Sequence, residues 1–128
     1  MGLDEETALK LSSSFGGGMG RLREVCGACS GIFMAAGMLY GYTSPSDDAA
    51  KAEHYALIQR MAKEFRFEKN NGSIICKELL ALQKKDDFSP NPTARTEDFY
   101  KTRPCVKYVE DASSILEAII AEKENDSK

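Results

Sequence analysis

Four cysteines hold the chemistry open to this chain of 128 residues: Cys26 and Cys29, three apart, then Cys76 and Cys105. A thiolate is a nucleophile, a reversible redox group and a soft metal ligand; a protonated, buried thiol packs as a small hydrophobe. The surroundings favour the anion. Cys26 and Cys29 stand in Cys-Gly-Ala-Cys-Ser-Gly, within an apolar pattern at helical spacing. Cys76 lies three residues after Ser73, a good helix cap, and Cys105 follows Pro104, which is tolerated in a helix's first turn. Every cysteine is therefore predicted near a helix N-terminus, where unpaired N–H groups and the positive end of the dipole lower a thiol's pKa. Arg103 beside Cys105 adds a cation.

Three functions fit this set. A dithiol/disulfide or electron-transfer centre, as in a thiol-disulfide oxidoreductase, would use Cys26 and Cys29 as nucleophile and resolving partner, or pair Cys26 with Cys76 or Cys105 across helices. A metal site would take Cys26, Cys29, Cys76 and Cys105 as ligands to zinc or an iron–sulfur cluster, since both accept soft thiolates. Its signal is the weaker one, because 46 residues separate Cys29 from Cys76 and 28 separate Cys76 from Cys105, with no second close pair. The third function is a structural or interaction protein with inert thiols. Haem attachment through C-x-x-C-H is excluded by Ser30, and no alternation of strand and helix supports a thioredoxin.

The run Phe15-Gly16-Gly17-Gly18-Met19-Gly20 precedes the close pair. In regular helix each glycine would cost about 1 kcal/mol against alanine, so the run reads as a loop that lets backbone approach something closely. Gly16, Gly17, Gly18 and Gly20 could form a nest of N–H groups for an anion or small cofactor, with Arg21 or Arg23 as counter-charge. It is no P-loop, lacking the Lys-Ser/Thr and a preceding strand. His54 is the single histidine and reads as a surface or boundary residue, which leaves Ser or Cys triads little to build on.

The elements that must position these groups are helical. Asp4 caps a short helix to Ser14 with Leu3, Ala8, Leu9 and Leu11 on its apolar side. Alone, so short a helix is marginal and must dock on something. Leu22, Val25, Cys26, Cys29, Ile32, Phe33, Ala36 and Leu39 or Tyr40 recur at three and four through a central helix ending at Gly41. Gly27, Gly31 and Ala35 there suit a close helix crossing. Ser44 or Ser46 caps the next helix, which runs to about Lys69, and Asn70-Asn71-Gly72 stops it. Ser73 caps another, Ile74 to about Gln83. Lys84 to Arg95 reads as a loop and Thr96 to Lys101 as one turn. A last helix runs from near Pro104 to about Lys123 through Val106, Val109, Ala112, Ile115, Leu116, Ile119 and Ile120. No period-two stretch appears, so residues 1–128 are expected to form one all-α domain, a compact bundle of about five helices.

A formal charge of −3 with interspersed signs argues against nucleic acid. The central apolar segment reaches about 18 residues only by counting its glycines, short of a membrane span. The acidic start Met-Gly-Leu-Asp-Glu-Glu is no secretory signal, and Glu6 excludes myristoylation. A cytoplasmic protein with reduced thiols is the expectation.

In chain order, Phe15 to Arg21, Glu24-Val25-Cys26-Gly27-Ala28 with Gly31, Gly72-Ser73-Ile74-Ile75-Cys76, and Arg103-Pro104-Cys105 resemble the four motif segments of the C-GCAxxG-C-C family. The resemblance spans nearly the whole chain and implies redox activity at the cysteines without defining a reaction. The family pattern opens with a further cysteine upstream of the glycine loop, where this chain has not begun; Cys29 falls where the motif leaves the position free. Either a leading helix with the first thiol is missing, or Cys29 substitutes for it. A missing helix would leave apolar strips on the first and central helices, so a homodimer is expected, with an unidentified redox partner.

Overall fold

Two aspartates start helices by accepting amides that have no partner inside the helix. In the computed structural model, which describes residues 2–80 and 104–126, Asp4 Oδ1 accepts from the Thr7 N–H at 2.7 Å and begins α1 (Glu5–Ser12). The central helix is α2 (Gly27–Tyr40). Asp47 Oδ1 accepts from the Ala50 N–H at 3.0 Å and begins α3 (Asp48–Lys63). The cap is therefore Asp47 and not Ser44 or Ser46, whose hydroxyls bond each other at 3.1 Å. A π turn, Glu64–Glu68, extends α3, and Asn70 and Gly72 end it with φ of 57° and 78°. Then come the short α4 (Cys76–Leu79) and the long α5 (Cys105–Asp126).

The fold is all-α, with these five helices among the described residues, as expected. Among the described residues, extended backbone pairs at an isolated antiparallel bridge between Val25 and Ile75. That bridge shifts two helix starts. Val25 is held extended, so the central helix begins at Gly27 and Cys26 sits just before it. Ile75 is extended as well, so α4 begins at Cys76; the Ser73 hydroxyl accepts from the Ile75 N–H at 3.0 Å instead of capping a helix from Ile74. The expected end of that helix at Gln83, the Lys84 to Arg95 loop, the Thr96 to Lys101 turn and Arg103 lie outside the described residues.

The core joins α2, the end of α3 and α5. Cys29, Ile32 and Ala36 meet Met61 and Phe65, and α5 contributes Tyr108, Ala112, Ile115 and Ile119 at spacings of four, three and four. Val106 and Val109, expected on that inner face, are exposed, because the stripe runs through Tyr108. Arg60 makes a two-pronged contact to Glu122, at 3.0 and 2.6 Å, tying α3 to α5 on the outside. Gly27 does support a close approach, since a Cβ there would stand 3.2 Å from the Phe15 carbonyl oxygen. Gly31 does not, for a Cβ there would meet open space.

Helix α1 buries none of its residues, and Leu3, Leu9 and Leu11 are 40%, 63% and 55% exposed. The dock expected for its apolar side is not found among the described residues. No helix there is long and apolar enough to cross a membrane.

Candidate functional site

The glycine run builds the site from an unusual backbone. Gly17, Gly18, Met19, Gly20 and Arg21 all have φ between 61° and 73°, a turn of left-handed helix. Such a turn costs a residue with a side chain about 1–2 kcal/mol, which explains the glycines. Its hydrogen bonds close on itself: the Arg21 N–H donates to the Gly16 carbonyl, Leu22 to Met19, Arg23 to Gly17 and Glu24 to Gly18, at 2.9 to 3.2 Å. Those amides are thus engaged, and the nest expected from Gly16, Gly17, Gly18 and Gly20 gains no donor from them. What the turn provides is contact. A Cβ on Gly18 would stand 2.7 Å from the Cys76 Cβ and 2.8 Å from the Arg23 Cα.

The turn delivers Arg23 into the interior. Arg23 is itself left-handed, at φ 62°, and only 4% exposed. Its Nη1 donates to the sulfur of Cys76 at 3.7 Å. The bridge follows directly, with the Cys26 N–H donating to the Ile74 carbonyl at 2.7 Å and the Cys76 N–H to the Glu24 carbonyl at 2.6 Å. In such a pair successive side chains alternate faces. Cys26 and Cys76 therefore lie on one face, as diagonal neighbours, opposite Val25 and Ile75.

Cys26 occupies the cap position of α2. Its thiol is brought down to about 6, first by the neighbouring thiol of Cys29, then by the amides of Ala28 and Cys29; burial opposes them. Those amides point their partial charge at the sulfur without closing a full cap hydrogen bond. Cys29 moves the other way. It is pushed up by holding its proton toward Cys26, by burial and by the Cys26 charge. The anion belongs on Cys26 because that sulfur faces the helix N-terminus, whereas Cys29 is wholly buried.

Cys105 opens α5, half-buried. One turn on, the Tyr108 hydroxyl donates to the Leu79 carbonyl at 3.1 Å. Burial pushes this phenol up, and so does negative charge on Cys105, Cys26 and Cys76, in that order. Cys26, Cys76 and Cys105 are thus within electrostatic reach of one hydroxyl, at the end of the molecule that holds the glycine turn. All four cysteines are free thiols. Among the described residues, no three His, Cys, Asp or Glu side chains form a group that could hold a metal ion, and that is the finding for the set Cys26, Cys29, Cys76 and Cys105 considered above.

Two residues of this site had no assigned place in the cysteine pattern. Tyr108 had a usable signal, lying three residues after Cys105 and so on the same helix face. Arg23 was one of two counter-charge candidates for the loop; nothing in the sequence marked it for burial beside Cys76. His54, far along α3, is partly buried with its Nδ1 lacking a hydrogen-bond partner, near Tyr42 and away from the thiols.

Neither the curated proteins nor the solved structures compared with this chain yield a match. The model of one protein family does match, over residues 1–119, a span that takes in all four cysteines. The chain belongs to the C_GCAxxG_C_C family, described as "Putative redox-active protein".

Proposed function

We propose that the protein carries out reversible dithiol–disulfide chemistry, with Cys26 as nucleophile and Cys29 as a resolving thiol. The observation that supports this most is the placement of Cys26 at the cap position of α2 with the buried Cys29 one turn on in the same helix, so that the Cys26 thiol is drawn down and the Cys29 thiol pushed up. It pairs an anion ready to attack with a partner that keeps its proton. The Cys26 thiolate attacks one sulfur of a substrate disulfide and expels the other as a thiolate. Forming that mixed disulfide removes the Cys26 charge, which was one cause of Cys29's reluctance to ionise. Cys29 then loses its proton and attacks the Cys26 sulfur, releasing the second substrate thiolate. The substrate gains two electrons and the protein holds a Cys26–Cys29 disulfide.

The test is oxidation of the reduced protein with oxidised glutathione, followed by disulfide mapping. A Cys26–Cys29 link or a glutathione adduct on Cys26 is expected, and Cys26→Ser should lose both. A protein whose Cys26 takes up neither would leave the inert-thiol function standing.

The same proposal includes a homodimer. A shallow apolar groove beside the end of α1 is lined by Phe15, Gly31, Ile32, Met34, Val109 and Ala112. Its occupant is the α1 of a second copy, because an exposed leucine-bearing helix and an uncovered groove on one chain can satisfy each other twice about a two-fold axis.

A further inference from the structure

We infer that Cys76 is a second resolving thiol for Cys26, held in place by Arg23, so that a substrate bound on Cys26 can be released from either of two directions. This rests on Cys26 being the nucleophile. Three observations point to Cys76. The Val25–Ile75 bridge puts Cys26 and Cys76 on one face as diagonal neighbours. Tyr108, whose hydroxyl donates to the Leu79 carbonyl in α4 at 3.1 Å, is pushed up by charge on both sulfurs. And the backbone around Cys76 is built at a cost: Gly18 presses against its Cβ, and Arg23 takes a left-handed conformation while placing a buried guanidinium on its sulfur. Strain of this kind collects at functional sites, where the surrounding structure maintains it.

The geometry allows the step. Diagonal neighbours across an antiparallel pair have Cα atoms about 7–8 Å apart, and a disulfide spans up to about 6.8 Å. A movement of roughly 1 Å closes the gap. It falls between an extended residue preceding α2 and the first residue of a four-residue helix, where little regular structure must yield. In the mixed disulfide, the Cys76 thiol gives up its proton and its sulfur attacks the Cys26 sulfur. The bond from Cys26 to the substrate sulfur breaks, and the departing thiolate takes up a proton. The product is a Cys26–Cys76 disulfide, and the substrate has gained the same two electrons as in resolution by Cys29. Arg23 acts as a positioning residue, holding the attacking sulfur and balancing the charge that develops on it.

The experiment removes the first resolver. Reduced Cys29→Ala protein is treated with oxidised glutathione and its disulfides are mapped over time. Passage of the Cys26–glutathione adduct into a Cys26–Cys76 disulfide is expected. In the same background Arg23→Met should slow that closure about tenfold, the scale of losing a hydrogen bond to a charged group, and Arg23→Lys should recover part of the rate. A Cys26 adduct that persists in Cys29→Ala while the wild type resolves it overturns this inference and leaves the proposed function intact. Absence of any adduct or disulfide at Cys26 in the wild type overturns both. If Cys29→Ala fails to fold by circular dichroism, limited oxidation of the wild type decides, since a Cys26–Cys76 fraction beside Cys26–Cys29 is then expected and its absence rejects Cys76.

Discussion

Gly18 and Cys76 touch so closely that a β-carbon on the glycine would stand 2.7 Å from the cysteine's own. The neighbouring Arg23 Cα and Glu24 amide, each 2.8 Å away, close the remaining space. Gly18→Ala is therefore expected to destabilise the fold by about 2–4 kcal/mol, combining a left-handed residue with overpacking against backbone. Gly37→Ala is the control, for a Cβ there meets nothing within 4 Å inside α2. It should stabilise by up to about 1 kcal/mol. Urea denaturation of both variants checks this; similar midpoints would mean that the contact with Cys76 does not constrain Gly18.

Cys26 should be alkylated by iodoacetamide with a pH midpoint near 6, its thiol being brought down mainly by Cys29. Cys29→Ala should shift the midpoint upward by removing that donor. Stability of the reduced protein follows the same displacement. The folded value of about 6 lies below the ordinary value of 9.0 for a cysteine thiol, so the contribution is full above 9, fades as pH falls and is gone below 6. Cys29, displaced upward, works against folding only where an unfolded thiol would ionise. Between pH 6 and 9 the reduced protein should thus become harder to denature as pH rises, and a flat profile would contradict the anion on Cys26.

Tyr108→Phe removes the hydrogen bond to the Leu79 carbonyl and keeps the ring against Phe65. A loss of about 1 kcal/mol is expected. Because the phenol stands among the thiols, its own titration should move toward that of free tyrosine when Cys105, the largest of the three influences, is replaced by alanine. Ultraviolet difference titration reads this, and an unchanged curve would place Cys105 farther from the hydroxyl than described.

Light scattering should find a pair of chains at micromolar concentration. Leu9→Glu with Leu11→Glu, both on exposed positions of α1, should give single chains with an unchanged circular dichroism spectrum. A wild-type species near 14 kDa would show that the groove between α2 and α5 needs no second copy.

The all-α fold and the helix-start position of every thiol were legible, because Asp4, Pro104 and the three-four spacing from Cys29 through Ala36 are local signals that tertiary contacts did not override. The error at Leu22 to Cys26 has a tertiary cause. Val25 fits a helical period, yet its backbone pairs with Ile75, 50 residues away, and a single bridge leaves no period-two trace. The glycine run announced close approach without naming what approaches. Burial of Arg23 was not legible at all, since a charged residue is ordinarily exposed and only the left-handed turn turns this one inward. In α5, a tyrosine lining the core in place of Val106 and Val109 shows that phase along a helix is set by the full stripe to Ile119 and not by its first apolar residues.

The attraction between the Cys29 thiol and the Cys26 thiolate also bears on the direction of electron flow. It exists only while both sulfurs are reduced, as does the attraction between the Cys26 anion and the first amides of α2. A Cys26–Cys29 disulfide forfeits both. Whatever stabilises the dithiol alone raises the reduction potential of the couple. In the proposed chemistry this favours the reverse of the step written above, in which a substrate dithiol hands two electrons to the Cys26–Cys29 disulfide.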